Sequence, residues 1–336
     1  MSSVSTVDQR KNSKIRHLDH PPYQIVGDVK PFPQNMTVFS RVRWDPTCVG
    51  HGESRSKSTA EIIEEGKPDY SRVSFSLQAA AWSIVSIMGK QAYSAEKIGA
   101  RSSNIRARYE PEDAGEFTNQ VKTAARLYGA NIVGITRLDR RWLYAKPEGE
   151  LVDITDDVNM AIIMGVEMDG DLIKHSPSPL ASAAVGNGYS RMVFTTACLA
   201  EFLRDLGWQA IGSGNDTALS IPLAMDAGLG ECGRNGMLIT PEFGARQRLC
   251  KVFTDAPLVP DRPIEFGVVD FCEKCGKCAK ACPVEAITAG ERTPEALTPS
   301  NSPGVLKWPV NGEKCLRFWR TNGTSCCNCI SSCPMS

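Results

Sequence analysis

The sequence has no surplus of charge of either sign: 38 Lys and Arg balance 38 Asp and Glu over 336 residues, for a formal net charge of zero. A neutral chain carries no global field toward nucleic acid or an anionic membrane surface, so the expected partner is a small molecule or another protein. No run approaches the ~18 consecutive apolar residues of a membrane span; the best candidate, Ala79 to Met88, is short and broken by serines. Met1 to His17 is mostly polar and offers no apolar core for a secretion signal, which removes the usual setting of a disulfide framework. A phosphate loop and a solenoid repeat are both missing. The one Gly-x-Gly-x-x-Gly string, Gly228 to Gly233, follows a short predicted helix instead of a strand, so no dinucleotide site is expected there. Histidine is scarce, and His17, His20, His51 and His175 stand apart; each is read as a surface or capping residue. With 42% hydrophobic and 23% charged residues, the composition is that of a soluble folded chain and excludes disorder as the general reading.

What the sequence has in excess is cysteine. Nine of its 13 cysteines fall after residue 271. Cys272-x2-Cys275-x2-Cys278-x3-Cys282-Pro283 is the bacterial ferredoxin run, and Cys315-x10-Cys326-x2-Cys329-x3-Cys333-Pro334 repeats it with a longer first gap. In such runs three neighbouring thiolates hold one 4Fe-4S cubane while the fourth reaches the other cluster. That rule assigns Cys272, Cys275, Cys278 and Cys333 to one cluster, and Cys282, Cys315, Cys326 and Cys329 to the second. Structural zinc also takes Cys-x2-Cys pairs, but it rarely uses two interdependent Cys-x3-Cys-Pro endings. Cys48, Cys198, Cys232, Cys250 and Cys327 lack paired spacing and are read as small buried hydrophobes.

Ahead of the cysteines the pattern alternates. Residues 1–90 read as an irregular arm, with His20-Pro21-Pro22 and Lys30-Pro31-Phe32-Pro33 breaking any long element in its first part. A helix is predicted from Glu110 to Tyr128, ended by Gly129, and a second from Ala183 to Leu206, ended by Gly207. Asn131 to Thr136, Met160 to Val166 and Trp208 to Ile211 suit buried strands. Seven glycines between Gly212 and Gly244 fit either a ligand lying on main-chain amides or a turn-rich loop.

Gly188-Tyr189-Ser190-Arg191-Met192, Asp226-Ala227-Gly228-Leu229-Gly230, Ile239-Thr240-Pro241-Glu242-Phe243-Gly244 and Lys251-Val252-Phe253-Thr254 resemble the reductive dehalogenases. So do Gly129 to Gly134 and Arg137 to Trp142, and the likeness covers about Glu110 to Pro334. It implies an α/β (α+β) fold: a nitroreductase-like corrinoid-binding catalytic domain over 91–265, then a ferredoxin-like domain with two 4Fe-4S clusters over 266–336. It also implies cobalamin or a related corrinoid, bound base-off, reduced through the clusters and removing halide from an organohalide. No Asp-x-His-x-x-Gly motif supplies a lower-axial histidine, in keeping with that state. The family's proton donor falls on Tyr189, with Asn215 and Arg248 around it. Gly212, Ser213, Gly214, Asn215, Gly228, Gly230 and Gly244 are the candidate corrinoid contacts.

The chemistry is coherent, because reductive carbon–halogen cleavage makes a carbanion-like centre that needs a proton. A tyrosine of ordinary pKa about 10 can give one. An adjacent Arg248 would stabilise the tyrosinate and lower that pKa, and Asn215, opening a helix, would orient the tyrosine or donate to the halide. Without the resemblance, Tyr189 reads as a core residue, Arg248 as a surface ion pair and Asn215 as an N-cap. Implied partners are an organohalide, a low-potential protein or quinol-linked electron donor and a membrane-anchor subunit, with no nucleic acid. Relatives continue past the last cluster ligand with a tail, so a chain stopping at Ser336 is expected to be a fragment or a shortened member. A cytoplasmic location is expected for the chain as given, or the outer face of the cytoplasmic membrane if a twin-arginine signal has been removed. The alternatives are an epoxyqueuosine reductase of transfer-RNA modification, for which no basic, aromatic-lined stripe is evident, and a non-catalytic electron carrier or corrinoid-binding protein.

Overall fold

The computed structural model describes residues 15–54, 57–88, 107–147 and 154–336. Its core is one antiparallel sheet of four strands, β1 (Ile132–Arg137), β2 (Met160–Glu167), β3 (Ala210–Ser213) and β6 (Gln247–Thr254), in the spatial order β1-β2-β6-β3. β2 is apolar along its length because both of its faces are covered, the situation that removes alternation from a strand sequence. Its even-numbered residues, Met160, Ile162, Met164 and Val166, join helices α2 (Ala114–Leu127) and α3 (Pro179–Asp205) on one face. The odd-numbered Ala161 and Ile163 meet Trp142, Leu143 and helix α4 (Ser220–Asp226) on the other. This is the period-two partition of a strand realised as two half-cores.

Local chemistry sets the helix ends. Asp113 Oδ1 accepts from the Glu116 backbone N–H at 2.8 Å and starts α2, while Gly129 follows its end with φ +103°, a conformation that costs other residues a Cβ clash. Ser178 Oγ accepts from the Leu180 N–H at 3.2 Å, and Pro179 takes the first turn of α3, where a missing N–H costs nothing. α3 therefore begins before the predicted Ala183; the Ser178-Pro179 pair was the available signal.

Within residues 1–90, expected as irregular, helix α1 (Arg72–Met88) packs along α3. Trp82 lies across Gly186, where an added Cβ would come within 2.5 Å of its ring, and its indole N–H donates to the Ser182 carbonyl at 3.0 Å. The boundary expected between residues 90 and 91 lies outside the described residues. Further upstream, buried Arg41 is paired with Asp45 at 2.6 Å and Glu313 at 2.5 Å, and the Tyr23 hydroxyl donates to Asp226 at 2.7 Å.

After β6 the chain turns into short helices α5 (Val268–Cys275), α6 (Lys277–Lys280), α7 (Gly312–Asn322) and α8 (Asn328–Ser331). A small hairpin, β4 (Glu231–Cys232) with β5 (Leu238–Ile239), joins this part to the core. Buried Glu231 accepts from the backbone N–H groups of Phe266 at 2.7 Å and Val268 at 3.2 Å, satisfying donors at the start of α5 that no side-chain cap serves. Among the described residues no helix is long and apolar enough to cross a membrane.

Candidate functional site

Three elements bring Tyr189, Asn215 and Arg248 together. Tyr189 projects from α3, half-buried, with its ring stacked on Trp82 at 5.2 Å between centroids. Asn215 Nδ2 donates to the Tyr189 hydroxyl at 2.7 Å. Arg248, opposite Val166 in the β2–β6 ladder, holds its guanidinium carbon 5.1 Å from the centre of the Tyr189 ring, within cation–π range. Its Nε reaches Met168 Sδ at 3.1 Å. Gly188 makes room, since a Cβ there would meet Arg248 Cγ at 3.0 Å.

Asn215 does not open a helix. It is exposed in the bend after β3, and the N-cap of α4 is Leu219. The bend is held from within: Asp216 Oδ1 accepts from the Gly214 N–H at 2.9 Å, and Ser213 Oγ donates to the Asp216 carbonyl at 2.8 Å. Thr217 completes it at φ +69°, a left-handed conformation that β-branched residues seldom adopt. Below it sits Lys251, fully buried in β6, donating to the Gly214 carbonyl at 2.5 Å and to Ser220 Oγ at 3.0 Å. Burial pushes the Lys251 pKa down to about 8, against the opposing charge of Asp216. Sequence reasoning missed Lys251, because a lysine inside an apolar strand is indistinguishable there from a residue at an exposed edge.

The predicted cysteines gather in two sets. Cys272, Cys275, Cys278 and Cys333 line one cavity with Arg234, Asn235, Phe271, Gly276 and Pro334. Burial pushes the Cys278 thiol up to about 11, and the neighbouring Cys272 and Cys333 charges add to it. In the other set, burial and the charges of Cys326 and Cys282 take the Cys315 thiol to about 12. Cys329 is raised well above the ordinary thiol range by burial and by Cys327, Cys315 and Cys326. Backbone N–H groups of Ala286 and Asn328 point at Cys282 Sγ (3.2 Å) and Cys326 Sγ (3.5 Å). Among the described residues no three His, Cys, Asp or Glu side chains stand close enough to hold a single metal ion; the sulfurs of the first set instead surround a common space. Soft, partly buried donors, four of them around a cavity and two in the other set met by backbone N–H groups, fit iron–sulfur ligation.

An apolar cavity of about 270 Å³ is walled by Tyr23, Trp142, Leu219, Met225, Cys232 and Trp308 among others. Its aromatic lining suits part of a bulky organic group. Tyr189, Asn215 and Arg248 do not line it, although Leu219 follows Asn215 by one turn of chain. Nor do Gly212, Ser213, Gly214, Gly228, Gly230 or Gly244. Three of these glycines have structural reasons of their own: an added Cβ would come 2.3 Å from the Arg262 carbonyl at Gly228, 2.0 Å from that of Ile239 at Gly230 and 2.1 Å from that of Met335 at Gly244. At these three positions glycine is required by backbone crossing backbone.

Comparisons with known proteins agree with this layout. Residues 149–258 match the family described as reductive dehalogenase subunit, and residues 271–336 match the 4Fe-4S dicluster domain. The tetrachloroethene reductive dehalogenase of Sulfurospirillum multivorans is 39% identical over 255 residues, which are 67% of this chain and 51% of that protein. The epoxyqueuosine reductase of Bacillus anthracis matches over only 64 residues, at 44% identity, 19% of this chain and 16% of that protein. In structure, the catabolic reductive dehalogenase NpRdhA superposes with a TM-score of 0.70 at 23% identity, over 96% of this chain and 44% of that one, a likeness of fold. The chain spans about half the length of the curated relatives it matches. It belongs to the reductive dehalogenase family.

Proposed function

We propose that the protein removes halide from an organohalide by adding two electrons and one proton to a carbon–halogen bond, giving a carbon–hydrogen bond and free halide. The observation that carries this reading is the Asn215–Tyr189 hydrogen bond of 2.7 Å beneath Arg248. Because Asn215 donates to the phenol oxygen, the hydroxyl hydrogen of Tyr189 is left for the substrate carbon. Asn215 and Arg248 then stabilise the phenolate that remains, and Trp82 holds the ring in place.

In this reading Cys272, Cys275, Cys278 and Cys333 hold one 4Fe-4S cluster, and Cys282, Cys315, Cys326 and Cys329 hold the other. The walls of the large cavity, Tyr23, Trp142, Leu219, Met225 and Trp308 among them, would hold part of the corrinoid. When bound, these groups supply the low-potential electrons of the reaction. An external low-potential or quinol-linked donor replenishes them, delivered through a membrane-anchor subunit where the protein works at the cell membrane.

Anaerobic reconstitution with iron, sulfide and cobalamin should give about eight iron and about one cobalt per chain. The loaded chain, given a low-potential reductant, should release chloride from tetrachloroethene or bromide from a bromophenol. Tyr189→Phe should lower release by at least ~100-fold, the usual scale of a lost proton donor, with metal content unchanged. Iron without cobalt, or equal turnover in Tyr189→Phe, would sink the proposal.

A further inference from the structure

The β4–β5 hairpin separates the two cavities. Cys232 and Gly236 face the large one, while Arg234 and Asn235, between them in sequence, face the cavity of Cys272, Cys275, Cys278 and Cys333. Arg234 is only 4% exposed. Its guanidinium donates to four carbonyls: Nε to Cys272 at 3.1 Å, Nη1 to Thr288 at 2.9 Å and Gly290 at 2.8 Å, and Nη2 to Glu273 at 3.4 Å. It also lies 4.6 Å over the ring of Trp308, which lines the large cavity. Every hydrogen-bond acceptor is neutral. The Glu273 carboxylate is half-exposed and paired with Arg292 at 3.3 Å.

A buried cation served only by neutral acceptors is costly, and it is retained where a negative charge lies beside it. We infer that Arg234 is the counter-charge of the cluster at Cys272, Cys275, Cys278 and Cys333, and that it raises the reduction potential of this cluster. This rests on the two-cluster reading proposed above. A cubane held by four thiolates is net negative, and reduction adds one more negative charge, so a fixed cation stabilises the reduced form more than the oxidised one and raises the potential. The charge thus acts on the cluster whose wall, the hairpin, is shared with the large cavity.

The test is a potentiometric titration, followed by electron paramagnetic resonance, of the full chain reconstituted with iron and sulfide. The signal that changes in Cys275→Ser identifies the first cluster. Arg234→Gln should lower the potential of that cluster and leave the second where it was, while Arg234→Lys, which keeps the charge, should stay near wild type. Two assembled clusters with unchanged potentials in Arg234→Gln, or an equal shift of both, would overturn the inference alone. A wild-type chain that takes up no iron overturns the cluster reading and this inference with it. If Arg234→Gln loses the iron of the first cluster and Arg234→Lys keeps it, the charge requirement stands in a stronger form. If both lose it, Arg234 is a structural residue and the charge argument fails.

Discussion

Asp226 is a carboxyl group enclosed by aromatic side chains. Tyr23 donates to one oxygen at 2.7 Å and Trp142 to the other at 3.2 Å. Burial pushes its pKa up to about 6, against those two hydrogen bonds. A carboxyl group raised in the folded state binds a proton there that the unfolded chain has already lost. Its stabilising contribution is therefore complete below about pH 4, the unfolded value, and disappears as pH rises through about 6. Asp226→Asn, which stays neutral, removes the dependence. Urea unfolding at pH 4.5 and pH 7 should show the wild type losing about 2 kcal/mol relative to the variant; parallel pH profiles would show that the folded chain solvates this carboxylate after all.

How well single residues could be read in advance depended on whether their chemistry was covalent or positional. The ligand cysteines stand out because cluster ligation imposes spacing on the chain. Tyr189, Asn215 and Arg248 carry no such spacing; 26 residues separate the hydrogen-bonded Tyr189 and Asn215, and only the resemblance singled them out. Lys251, Glu231 and Arg234 could not be picked out at all, since nothing local distinguishes a buried charge from a solvated one.

Among elements, β1, β2, α2 and the end of α3 follow from periodicity and from glycines at the helix ends. Their boundaries lie within a few residues of the expected ones, except for the early start of α3. α1 was not foreseen, because its alanines and serines give a weak apolar stripe and its packing against α3 includes a fit invisible in the sequence, Trp82 over Gly186. In the glycine-rich stretch, tertiary contacts account for glycine at Gly228, Gly230 and Gly244. Gly244 has φ +56°, and a Cβ there would lie 2.1 Å from the Met335 carbonyl, whereas Gly27 has φ +93° with open space around it. Gly27→Ala should cost about 1 kcal/mol, from the left-handed backbone alone. Gly244→Ala adds a backbone collision next to the segment carrying Cys333, and should cost at least about twice as much. Thermal unfolding of the pair decides whether close approach or backbone angle is what requires glycine at 244.

At the scale of the whole molecule, residues 333–336 fold back on the sheet core: Ser336 Oγ accepts from the Ala245 N–H at 3.1 Å, and Cys333 lies beside Cys272, Cys275 and Cys278. On the proposed ligand sets the two cysteine runs interlock, each completing the other's set, and the cluster domain could not be divided into halves that assemble alone. Single Cys→Ser changes do not reveal this, since either arrangement loses one cluster. Pairs do. If the sets cross over, Cys282 and Cys315 serve the same cluster, so Cys282→Ser with Cys315→Ser should retain about four iron per chain, while Cys282→Ser with Cys333→Ser should retain almost none. Were each run to hold its own cluster, the first pair would strike both clusters and lose nearly all its iron. Iron analysis of the two double variants, reconstituted side by side, separates the interlocked arrangement from the tandem one without any assay of turnover.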